Sequence, residues 1–191
     1  LETDKLFAVH CLKIAKSSAG RERSPQSQKK GRPMKIISGG QTGVDRAALD
    51  AAIGAQLDYG GSVPEGRMAE DGPIDVKYVK MTELPRGTYR DRTKKNVDDA
   101  DATLIFTKGR PTDGTAYTIM YCRKSRKPFL VIDLVDMGVA YPVQRVEEWL
   151  ESVRPGVLNV AGPRESKSPG IYVQVTEILS LVFHRIAKVL D

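Results

Sequence analysis

The sequence predicts a single α/β domain built on a mainly parallel sheet, and three observations carry that prediction. Short, continuously apolar runs recur along the chain, as expected of strands buried on both faces. Between them lie stretches with apolar residues at i, i+3, i+4 and i+7, the spacing of amphipathic helices. The length of 191 residues suits one domain, since ~100–200 residues per domain is usual.

Residues 34–38 (MKIIS) read as a buried strand that ends on the pair Gly39-Gly40. Thr42 with Asp45 resembles a capping box, and Val44, Ala47, Ala48, Ala51, Ala52 and Ala55 share one face of the helix that follows. Small residues there let the helix lie close to a sheet. From Gly60 to Pro73 the density of Gly and Pro predicts a loop. Thr88 caps a helix running to about Asp99, with Thr93, Asn96 and Val97 turned inward. Residues 102–107 (ATLIFT) form a strand, residues 115–126 a helix, and residues 128–133 (PFLVID) another strand. Val146, Trp149, Leu150 and Val153 mark an amphipathic helix, and residues 157–160 (VLNV) a further strand. The last helix, about 171–190, sets Ile171, Val175, Ile178, Val182, Ile186 and Val189 on one face and leaves His184 on its surface.

With 40% apolar and 28% charged residues, the composition is that of a globular chain. No run approaches the ~20 apolar residues of a spanning helix, so no membrane partner is expected. Cys11 and Cys122 are far apart and form no CxxC pair, which favours a reduced, cytoplasmic setting. His10 and His184 are the only histidines, so a histidine-rich zinc site is not expected; a metal would arrive inside a cofactor. The net charge of +6 is concentrated in residues 1–33, where eight basic side chains face three acidic ones, leaving +1 for the other 158 residues. That segment reads as a flexible basic extension foreign to the fold, with the folded domain at 34–191. A targeting segment is weakened by its acids, and a nucleic-acid arm lacks aromatics for stacking.

In an open α/β sheet, ligands bind outside the carboxyl ends of the strands. Three loops there carry unusual chemistry. Gly39-Gly40-Gln41-Thr42-Gly43-Val44-Asp45-Arg46 joins a strand end to a helix start, where free amides and the helix dipole favour an anion such as phosphate and Arg46 adds a cation. It matches neither GxGxxG nor GxxxxGK[ST]. Asp113-Gly114-Thr115 repeats a Gly and a hydroxyl at a second helix N-terminus. Residues 162–170 (GPRESKSPG) offer Arg164, Ser166 and Lys167 between two stiffening prolines. Glu65, Glu70 and Asp71, in a further loop, are candidate acid/base groups, a lid or readers of sugar hydroxyls. Arg92, Thr93 and Asn96 support the pocket from the inward helix face.

The segments GGQTGVDRAALDAA (39–52), VPEGRMAEDGP (63–73), YRDRTKKNVDDADATLIF (89–106), DGTAYT (113–118), KPFLVIDL (127–134) and LNVAGPRESKSPGIY (158–172) together resemble the molybdenum cofactor carrier family. The resemblance spans about 34–184. It implies a Rossmann-like three-layer fold, a homo-oligomer, and binding of molybdenum cofactor (molybdopterin) or of a nucleotide or other phosphorylated small molecule, with a molybdoenzyme as recipient. By that resemblance Gly39, Gly40, Gln41, Thr42, Gly43 and Arg46 cradle phosphate, and Gly114, Thr115, Arg164, Ser166 and Lys167 complete the pocket. The family is related to Rossmann-like nucleotide-binding proteins that include phosphoribohydrolases and lysine decarboxylase homologues. Their PGGxGTxxE signature is absent here; the nearest segment is Thr112-Asp113-Gly114-Thr115-Ala116, without the glutamate. A carrier that needs no catalytic residue is therefore expected first, and a nucleotide-processing enzyme or a nucleotide sensor second.

Overall fold

The computed structural model describes residues 34–190. The basic extension expected over 1–33, with His10 and Cys11, lies outside the described residues, as does the side chain of Val189. In chain order the elements are β1 (Lys35–Ile37), α1 (Val44–Gly54), β2 (Tyr59–Val63), a 3-10 turn (Glu65–Arg67), β3 (Met68–Ala69), β4 (Gly72–Pro73), β5 (Met81–Glu83), α2 (Tyr89–Asp99), β6 (Ala102–Thr107), α3 (Asp113–Ser125), β7 (Phe129–Asp133), α4 (Ala140–Val153), β8 (Val157–Ala161) and α5 (Ile171–Leu190).

Six strands form one sheet in the order β5-β2-β1-β8-β6-β7, and every neighbouring pair is parallel. Strand β8, from the C-terminal part of the chain, lies in the middle, with Leu158 opposite Ile36 of β1 on one side and Ala102 of β6 on the other. Helices α1, α4 and α5 cover one face and α2 and α3 the other, giving the three layers of a Rossmann-like fold. The first face holds most of the core. There the alanines of α1 allow close packing on β1, β8 and α5, whose Ile171, Val175, Ile178 and Val182 are fully buried. The second face has a small apolar cluster of Val97, Ile105 and Cys122, joined by buried polar residues Asn96, Thr103, Thr118 and Asn159.

Two expectations change. Residues 60–73 are not wholly loop, because Tyr59–Val63 is a strand paired with β1 and β5. Its glycines hid it: a Cβ on Gly61 would stand 2.0 Å from the Ser38 carbonyl oxygen, so close approach to β1 excludes the β-branched residues that mark a strand. Thr42 does not cap α1. The N-cap is Gly43, with no side-chain cap, and the Thr42 hydroxyl instead accepts from the Glu165 amide at 3.1 Å. The capping box expected at Thr88 is present, closed by Asp91. Among the described residues no helix is long and apolar enough to cross a membrane.

Candidate functional site

Sequence neighbours part company at the carboxyl ends of β1, β8 and β6, since β1 leads outward to β2 while β6 leads the other way to β7. Such a reversal leaves a crevice between the diverging loops. A cavity of about 430 Å³ opens there on the α2/α3 side, within the usual size range of small-molecule sites. The loop after β1 supplies Gly39 and Gln41, the loop after β8 supplies Pro163, Arg164 and Lys167, and the first turn of α3 supplies Asp113, Gly114 and Thr115. Helix α2 closes the side with Tyr89, Arg92, Thr93 and Asn96.

The loops are cross-braced before any ligand is considered. Ser38 Oγ donates to the Val160 carbonyl at 2.7 Å, tying the ends of β1 and β8 together. Gly43 has φ +71°, and a Cβ there would lie 2.5 Å from the Pro163 carbonyl oxygen, so only glycine lets the two loops touch. The Glu165 carboxylate accepts from the amides of Gly170 at 2.5 Å and Tyr172 at 3.0 Å, capping the start of α5. Across the mouth, Lys167 Nζ stands 3.6 Å from Asp113 Oδ2.

Arg92 and Asp45 form the buried centre of the wall. Arg92 Nη1 lies 2.9 Å from Asp45 Oδ2, with side-chain exposures of 14% and 7%. Burial pushes the Asp45 carboxyl up from its ordinary value, against the Arg92 charge and the Gln41 amide that favour ionisation. The Nε of Arg92 is buried without a hydrogen-bond partner. A buried guanidinium whose donors the chain does not all pair favours an anion nearby. Gly39 is small for the same guanidinium, because a Cβ there would fall 1.9 Å from Arg92 Nη1.

The expected site residues separate into two groups. Gly39, Gln41, Gly114, Thr115, Arg164 and Lys167 line this cavity. Thr42, Gly43 and Arg46 face a second one of about 410 Å³ behind the loop, with Asp50, Lys77, Tyr78 and Tyr172. Gly40 and Ser166 line neither. The Arg46 guanidinium is held by Asp71 at 2.5 and 2.8 Å, while its Nε donates to the Gly40 carbonyl. Ser166 donates to Glu70 through both its hydroxyl and its amide.

Glu65, Glu70 and Asp71 are not among the cavity-lining residues. Glu70 Oε1 accepts from Thr42 and from the Ser166 amide, while Oε2 accepts from Ser166 Oγ and pairs with Arg164. Burial opposes its ionisation, yet hydrogen bonds from Ser166 and Thr42, with the Arg164 charge, hold its carboxyl below the usual value. The Arg46 hydrogen bond does the same for Asp71. Both carboxylates are thus committed to internal partners. Asp45, read from the sequence as a capping partner, and Asn159 line the cavity but were not singled out as site residues. Asn159 did leave a signal: an amide interrupts the otherwise apolar run VLNV of a strand buried in mid-sheet.

A six-stranded, fully parallel sheet with helices on both faces and a crevice at its reversal point defines a Rossmann-like α/β protein. The chain belongs to the circularly permutated YpsA SLOG family, whose model matches residues 36–183. A solved structure from Syntrophus aciditrophicus SB, described as a "Putative molybdenum carrier protein", is 46% identical, covers 78% of this chain and 94% of its own, and superposes with a TM-score of 0.74. Both findings agree with the family resemblance of the six segments quoted above. None of the curated proteins matches the chain.

Proposed function

We propose that the chain is a carrier that holds a phosphorylated small molecule, the pterin of molybdenum cofactor foremost, without transforming it. The observation that carries this reading is the set of cations lining one cavity: Arg92 in the wall, with one nitrogen unpaired among the described residues, and Arg164 and Lys167 at the rim. Three cations against Asp45 and Asp113 leave the lining net positive, which suits an anion, and the amides and Thr115 of the α3 first turn suit phosphate oxygens. The molybdenum carrier name of the 46% identical structure supports a pterin cargo. Self-association and hand-over to a molybdoenzyme belong to the same reading.

The test is the ligand retained by the full chain purified anaerobically, identified by mass spectrometry and pterin fluorescence. A phosphorylated pterin is the expected result. A nucleotide in its place overturns the pterin cargo. It would also favour the second reading, a nucleotide-processing enzyme, for which Asp45, a cavity carboxyl held above its ordinary value, is the best-placed acid.

A further inference from the structure

We propose that Glu70 is a positioning residue for the cavity rim, holding Gln41 and Arg164 from outside so that both are set before an anionic ligand arrives. The proposal rests on the anion-site reading above. Glu70 follows β3 at the tip of the β3–β4 hairpin and reaches both loops that flank the crevice. Its amide donates to Gln41 Oε1 at 2.8 Å, and its carboxylate lies 3.2 Å from Arg164 Nε. Gln41 and Arg164 line the cavity, whereas Glu70 does not.

The attachment is firm. Thr42 and Ser166 fill the other acceptor positions of the carboxylate, and the neighbouring Asp71 anchors the hairpin through its paired contacts with Arg46. Gln41 Oε1 also accepts from the Thr42 amide at 3.0 Å, so its amide group has a defined orientation. Arg164 is 43% exposed, and Glu70 is its only ion-pair partner among the described residues. An arginine at such exposure is otherwise free to sample many rotamers. Engaged at Nε, it keeps its two Nη groups for a ligand. Ordering done beforehand does not have to be done on binding, which is how a group that never touches a ligand raises affinity.

Glu70→Ala and the near-isosteric Glu70→Gln in the full chain test this, with inorganic pyrophosphate titrated by calorimetry and the Arg164 Nε–H signal followed by NMR. Glu70→Ala is expected to weaken pyrophosphate binding about tenfold, roughly 1.4 kcal/mol of lost pre-ordering, and to shift the Arg164 Nε–H signal as the ion pair is lost. In an Arg164→Ala background the same change should alter affinity less than about twofold, since the carboxylate then has no rim cation to position, while the Gln41 contact runs through the Glu70 amide that both variants keep. Equal losses in both backgrounds would mean a general structural role and overturn the proposal, as would an unchanged Nε–H signal. Glu70→Gln carries the comparison if the alanine variant does not fold. A wild-type chain that binds no pyrophosphate sinks the anion-site reading instead, and the Nε–H signal then decides alone whether Glu70 holds Arg164.

Discussion

Arg92 and Asp45 show how one residue can serve both stability and the site. Their contact opposes the burial that pushes the Asp45 carboxyl above its ordinary value. Arg92→Ala strands that carboxylate, and breaking a buried pair in this way costs about 3–5 kcal/mol. The urea midpoint should fall accordingly, with pyrophosphate binding lost in calorimetry. Gly39→Ala is a gentler route to the same end. Its methyl group occupies the guanidinium's place, so affinity should fall towards that of Arg92→Ala with a smaller loss of stability. An unaltered affinity would mean that Arg92 can swing aside without leaving the ligand. Arg46 was expected at the phosphate but is held by Asp71 and faces the second cavity. Arg46→Ala should therefore lower thermal stability more than pyrophosphate affinity.

At the scale of elements, the hairpin and α2 are fastened by side chains whose loss can be read separately. Glu70 and Asp71 are held below their ordinary carboxyl values of 4.5 and 3.8. Between the folded and unfolded values the folded chain binds fewer protons, so stability rises with pH there. The contribution is complete above about pH 4.5 and is lost as pH falls through the depressed values. Glu70→Gln with Asp71→Asn should flatten this acid limb in denaturation curves while leaving the shape of the curve above it unchanged. Helix α2 is tied to β2 by Asn96, which accepts from the Ser62 amide at 2.7 Å and donates to the Ser62 carbonyl at 3.1 Å. Asn96→Leu leaves two buried backbone groups unpaired at about 1–3 kcal/mol each. Faster hydrogen exchange at Ser62 should accompany the loss of stability.

For the whole molecule, the cavity joins three loops and α2, so filling it must stabilise the fold. A ligand at about 100 times its dissociation constant adds about 2.7 kcal/mol. Pyrophosphate should raise the melting temperature of the wild-type chain and leave that of Arg92→Ala unmoved. The same architecture explains which elements could be read in advance. Strand β6 and helix α5 match their predicted spans because each carries its own signature: six buried residues in a row, and a continuous 3.6-residue stripe. Strand β2 was hidden because Gly61 is dictated by its approach to Ser38, a contact across the sheet that no local window contains.

The sequence by itself determined the alternation of strands and helices, the α/β class with a mainly parallel sheet and the three loops at the strand ends, because those follow from local periodicity and from glycines at helix starts. Tertiary structure alone decided which of the loop residues face the main cavity. Placing β8 between β1 and β6 brings Arg164 and Lys167 beside Gln41. It also lets Glu70 and Asp71 take up Thr42, Ser166 and Arg46, donors that the sequence offers equally well to a phosphate. A carboxylate within the chain and a phosphate outside it seek the same donors, and only the three-dimensional path of the hairpin determines which residues the chain keeps for itself.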